Sequence, residues 1–206
     1  MSSRASILER VRRNQPAARE LPVVPHFGQP PSDPLATFGA ALTRMGGSLA
    51  DVPAGATLDD VVRARFPQAR VICSAAPEVE GTRRVGSVSR PADLDDVDVG
   101  VVRAAFGVAE TGSVWLSERE FGVNALGFLA QHLVVLLDPQ AIVADLHDAY
   151  RDRGFFEARY AVLMTGPSAT ADIEGVLIRG AQGIRTLTVI PATPPVLQNQ
   201  EARRTP

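Results

Sequence analysis

The sequence predicts an α/β fold, with three layers and helices on both faces of a mostly parallel sheet. Short apolar runs of strand length recur near 48–52, 70–74, 106–109, 113–117, 133–137, 160–164 and 186–190. Segments with helical apolar spacing separate most of them, and alternation of this kind builds parallel sheets. The pair near 106–109 and 113–117 is joined too closely for a parallel crossover and is expected to form an antiparallel hairpin.

At 206 residues the chain can bury a full core and reads as one main domain over 35–192. A helix and Pro-rich arm precede it at 1–34, and a tail follows at 193–206. The 21 basic and 23 acidic residues nearly cancel, so no nucleic-acid or membrane-surface footprint is present. All the basic residues are Arg, which excludes a Schiff-base or P-loop lysine. A single cysteine, Cys73, excludes an internal disulfide and argues against an iron–sulfur cluster held by this chain alone. His26, His132 and His147 lack metal-ligand spacing. With no signal-peptide core and no run of transmembrane length, the expected location is cytoplasmic.

Residues 3–15 form a helix with Ser6 and Glu9 at capping-box spacing and Ile7, Leu8 and Val11 on one side. The Pro-rich stretch 16–34 is an extended connector. Asp33 and Pro34 start a second helix to Met45, with Leu35, Phe38 and Leu42 inward. Thr57 opens a third through Phe66, and Pro67 stops it. Cys73 sits in a buried strand as a small core residue. The acidic run 93–96 is a solvated face. A loop and helical turn fill 118–131, His132 stands at the mouth of the strongest strand, and Asp138 and Pro139 cap a helix to Tyr150. His147 lies on that helix as a surface or boundary residue.

Two turns carry the candidate chemistry. Glu110, Thr111, Gly112 and Ser113 lie between two strands, a position where sheets of this kind place ligands. A salt bridge or a backbone hydrogen bond is the equally weighted alternative for Glu110. The run 160–164 leads into Thr165, Gly166, Pro167 and Ser168. A helix follows with Ile173, Val176 and Leu177 on one face, then a strand at 186–190, as in a parallel crossover. Ser168 and Thr170 would stand beside the free N–H groups of that helix, either as caps or as an anion cradle. Asp172 and Glu174 favour capping, and no P-loop lysine follows.

The segments FGVAETGSV at 106–114 and TGPSATADIE at 165–174, with His132 opening a strand between them, resemble the LUD-domain family of lactate-utilisation proteins, most closely its protein C branch. The likeness spans about residues 95–192. Residues 124–131 depart from it, because the family often has a Gly-Arg pair and a Pro-Pro there. The cysteine clusters of the protein B branch are absent.

The resemblance implies a fold like that of ribose-phosphate isomerase, glucosamine-phosphate deaminase and coenzyme A transferases. It also implies a part in oxidising L-lactate to pyruvate beside iron–sulfur partner proteins that carry the clusters. On that reading Thr111, Gly112, Ser113, Thr165, Gly166, Ser168 and Thr170 line a small-anion site, with Glu110 and His132 as the catalytic candidates. A stand-alone enzyme for a sugar phosphate or acyl-coenzyme A, with Glu110 as base or nucleophile, is one alternative. A structural adaptor docking through its Pro-rich residues 16–34 and 191–206 is another; among partners, a second copy of the chain in a homo-oligomer is also expected.

Overall fold

The computed structural model describes residues 3–20, 22–25, 29–151, 156–171 and 177–195. Helix α1 (Ser3–Arg13) buries none of its residues. It begins before Ser6, which therefore does not cap it. Helix α2 (Pro34–Arg44) starts as expected: the Asp33 carboxylate accepts from Ala36 N, and Pro34 sits where no N–H is needed. It buries Phe38 and Leu42 completely, while Leu35 is half-buried. After strand β1 (Ser48–Leu49), helix α3 (Leu58–Arg65) opens on a Thr57–Asp60 capping box and ends at Phe66, before Pro67.

Strands β2 (Ile72–Ser74), β3 (Arg83–Arg84) and β4 (Val99–Arg103) follow, and later β7 (His132–Leu137) and β12 (Thr186–Pro191). With β1 they form one sheet in the order β1-β12-β7-β4-β2-β3, and every neighbouring pair is parallel. Side chains alternate across it as the pleat requires. Leu133, Val135 and Leu137 of β7 face the core under α2, while Val134 and Leu136 face Val61 and Val62 of α3. Helices α4 (Glu118–Phe121) and α5 (Leu126–Leu129) add Phe121 and Leu126 to the α2 side. Helices thus cover both faces of an α/β sheet, as the alternation predicts.

The central strand β4 was not expected from the sequence. Gly100 interrupts its apolar run, and glycine ordinarily weakens a strand. Here a Cβ at Gly100 would lie 3.2 Å from Leu126 Cδ1 and 3.3 Å from Ala130 Cβ, so the glycine lets α5 pack close.

The expected hairpin forms from β5 (Phe106–Val108) and β6 (Ser113–Ser117), paired antiparallel. It belongs to a second sheet, ordered β8-β5-β6-β9, with β8 (Ile142–Val143) and β9 (Ala161–Met164). Two expectations fail here. The Asp138–Pro139 start yields only a 3-10 turn, Pro139–Ala141, because β-branched Ile142 and Val143 pair with Gly107 and Val108. A short helix, α6 (Leu146–Ala149), then restarts on the Asp145 cap and carries the exposed His147.

Of the expected helix after Ser168, residues 172–176 lie outside the described residues, and the described residues on either side are strands. Strands β10 (Ala169–Ala171) and β11 (Leu177–Arg179) pair antiparallel, with Thr170 opposite Ile178. β9 and β12 lie in different sheets and do not form a parallel crossover. Asp172, Ile173, Glu174, Val176 and His26 lie outside the described residues.

Candidate functional site

The first turn is built by close approach. Gly112 has φ +68°, a left-handed conformation suited to glycine, and its N–H donates to Val108 O at 2.9 Å. A Cβ there would stand 2.2 Å from Leu42 N, so the turn lies directly against the α2 backbone. Glu110 is exposed and faces α6: its N–H donates to Ala144 O at 3.0 Å, and Oε2 accepts from Leu146 N at 3.2 Å. This is the backbone hydrogen bond that the sequence set beside a ligand role for Glu110.

The two motifs do meet. β6 and β9 run antiparallel with Val114 opposite Met164, and continuing that register sets Ser113 opposite Thr165. Their hydroxyls are hydrogen-bonded, and Thr111 Oγ1 lies 2.8 Å from Ser113 Oγ. Three of the expected site hydroxyls are therefore engaged with one another as a cross-strand chain. Gly166, at φ +72°, would place a Cβ 2.4 Å from Met45 O, so this turn also rests on the end of α2. The Ser168 N–H donates to Ile184 O at 3.1 Å, and Thr170 is an exposed strand residue, so neither stands at a helix N-terminus. Beside them is a cleft of about 430 Å³, whose lining includes Phe128, Met164, Thr165, Ser168, Gln182 and Ile184.

His132 belongs to a different cleft, of about 410 Å³, at the amino end of β7 and lined by Arg65, Gln68, Asp98, Gln131 and Arg185. Its Nδ1 lies 2.8 Å from Thr186 Oγ1, and its ring packs on Phe66 with centroids 4.8 Å apart. Burial pushes the imidazole pKa down, and the charge of Arg185 pushes it further against a weaker opposing effect of Asp98. The ring is therefore neutral near pH 7. Arg65 is held in place by Nε donating to Thr188 Oγ1 at 3.0 Å and Nη2 donating to Ser48 Oγ at 2.7 Å. The Asp98 Oδ2 accepts from Arg70 N and Val71 N at 2.7 and 2.9 Å, and these bonds hold its carboxyl below the usual range. Arg185 is exposed and makes no ion pair among the described residues.

Two guanidinium groups, two amides and a neutral imidazole thus share a cleft whose one carboxylate is already engaged by backbone N–H groups. Such donors suit a small oxyanion. Sequence reading missed Arg65 and Arg185. Their signal was position: Arg65 ends a helix, and Arg185 immediately precedes a strand whose neighbour opens on His132. None of the residues at 110–113 or 165–170 lines this cleft. Among the described residues, no group of three His, Cys, Asp or Glu side chains is placed to hold a metal ion.

Fold and clefts define a parallel α/β domain with polar, arginine-lined surface sites. The model of the LUD domain matches residues 87–190, just over half of the chain. The chain belongs to the LUD domain family, which is associated in general with lactate utilisation. Among solved structures it is similar to a DUF162 family protein from Deinococcus radiodurans, with a TM-score of 0.60 and 19% identity. That match covers 79% of this chain and 98% of the other, and it concerns the fold. No curated protein matches the chain.

Proposed function

We propose that this chain is the LUD-domain subunit, of the protein C type, in a cytoplasmic system that oxidises L-lactate to pyruvate with iron–sulfur partner proteins. It binds a small carboxylate in the His132 cleft. Family membership supports the pathway, and the gathering of Arg65, Arg185 and His132 around one hollow supports the site. The guanidinium groups would take the carboxylate. Oxidation of a hydroxy acid releases two protons and two electrons; the neutral imidazole is suited to accept the hydroxyl proton, and the proton from the carbon would leave to solvent. The electrons would pass to clusters in the partners, since one cysteine cannot anchor a cluster here.

Glu110, Thr111, Gly112, Ser113 and Thr165 then act on the site indirectly, by holding the second sheet against α2 and α6. The test is growth of a deletion strain on L-lactate, complemented with wild type, His132→Gln, Arg185→Gln and Glu110→Gln, together with calorimetric titration of L-lactate and pyruvate. Rescue by wild type and Glu110→Gln but not by the cleft variants is the expected result. Normal growth of the deletion strain with no second copy present removes the lactate reading. Unchanged binding in Arg185→Gln removes the site.

A further inference from the structure

At the other end of the sheet, the strand order reverses. From β2 the chain moves outward to β3, returns inside to β4 beside β2, and then continues the opposite way through β7 to β12. Connections that leave neighbouring parallel strands in opposite directions open a crevice beyond their carboxyl ends. Here that crevice is real. Two adjoining hollows of about 280 and 340 Å³ share Ala105, Arg119 and Glu120 along one groove. The inner hollow is walled by residues 75–77 and Arg103, and the outer one includes Phe106, Trp115, Gln140 and Ile142.

The charges in the groove are unequally committed. Arg103 donates from Nε to Glu78 Oε1 at 2.6 Å and from Nη1 to Ala192 O at 2.8 Å. Glu120 Oε2 accepts from Ser117 N and Oγ at 2.7 and 2.6 Å. Arg119 is exposed and pairs with no carboxylate among the described residues. Next to it, Phe106 and Trp115 stack with centroids 5.4 Å apart and planes inclined by 13°, and Gln140 brings an amide to the lining.

We propose that this groove binds a small organic anion built on a planar ring, of the mononucleotide class. Arg119 takes the phosphate, and the Phe106–Trp115 end and the Gln140 amide take the ring. A bare anion would use only the Arg119 end, whereas the small exposed part of the otherwise buried Phe106–Trp115 pair, 7% and 5% exposed, and the amide match a flat heterocycle. The groove shares no lining residue with the His132 cleft and lies at the opposite ends of the strands.

Trp115 is the only tryptophan, so its fluorescence reports this groove. The full chain is titrated with AMP, GMP and UMP, and with adenosine and inorganic phosphate. At least one nucleotide should give a saturable change, with the two fragments at least ~10-fold weaker, and Arg119→Gln should weaken that nucleotide by about 10-fold, the scale of one charge-assisted contact. His132→Gln should leave the titration unchanged, which separates this site from the lactate reading. Absence of a saturable change with all three nucleotides overturns the proposal. Equal binding by wild type and Arg119→Gln, or phosphate binding as tightly as the nucleotides, overturns it too.

Discussion

Replacing Gly112 by alanine tests how the first motif is held. Two costs follow from the geometry. An L side chain at φ +68° costs about 1–2 kcal/mol. The added Cβ would also stand 2.2 Å from Leu42 N and 2.8 Å from Ala41 C, both backbone atoms that no rotamer change can move. Helix α2 must therefore retreat. Phe38 and Leu42 are fully buried from that helix, and each contributes roughly 1.5–3 kcal/mol. Losing part of their packing, well short of a full truncation, adds about 2 kcal/mol.

Gly55 is the control. Its φ is +82°, but nothing lies within 4 Å of its Cβ position, so Gly55→Ala carries only the backbone cost. Both variants gain the same small entropic offset in the unfolded chain, roughly 0.4–1 kcal/mol. Gly112→Ala should thus lose about 2 kcal/mol more than Gly55→Ala, a further ~4–8 °C in Tm for a chain of this size. Thermal unfolding followed by circular dichroism measures it. Equal losses in the two variants would refute the account of the turn pressed on α2.

Further outcomes follow from the same contacts. Ser113→Ala and Thr165→Ala should each cost about 1 kcal/mol, and the double variant less than their sum, because both remove the same Ser113–Thr165 hydrogen bond; urea unfolding checks this. Because the folded-state pKa of His132 is lowered, the unfolded chain binds more protons below about pH 6.5, so stability should fall as pH drops from there through the lowered value. Arg185→Gln should move the imidazole pKa upward, read by NMR titration, and an unmoved pKa would contradict that electrostatic reading. Asp98, with its carboxyl held low, contributes stability above about pH 4 that is lost as pH falls further; in Asp98→Ala this acid loss should shrink. Burial pushes the Cys73 thiol up, so it should resist a disulfide reagent in the folded chain and react once unfolded.

The family was legible because motif residues 106–114 and 165–174 keep their spacing in the chain, and it is shown over 87–190. Helices α2 and α3 were legible because their caps lie within three residues of what they cap. Strand β7 was legible because its apolar run has no polar residue. These are local signals, and local chemistry alone decides them.

What lay beyond reach was decided by partners distant in sequence. Strand β4 looks too weak to be central until α5 packs on Gly100. The Asp138 start looks helical until β5 offers Ile142 and Val143 a ladder. The segment after Ser168 has apolar residues at helical spacing, yet Ser168 is held by Ile184 and Thr170 pairs with Ile178. The site divided for the same reason. Ser113 meets Thr165 because β6 pairs with β9, Glu110 turns to α6, and His132 joins Arg65 and Arg185 because parallel pairing aligns the amino ends of β7 and β12 beside α3. Residue type and spacing along the chain determined the fold class and the motifs; which strands paired, and therefore which side chains met, was decided only in three dimensions, where strand pairing and packing outweigh local preference.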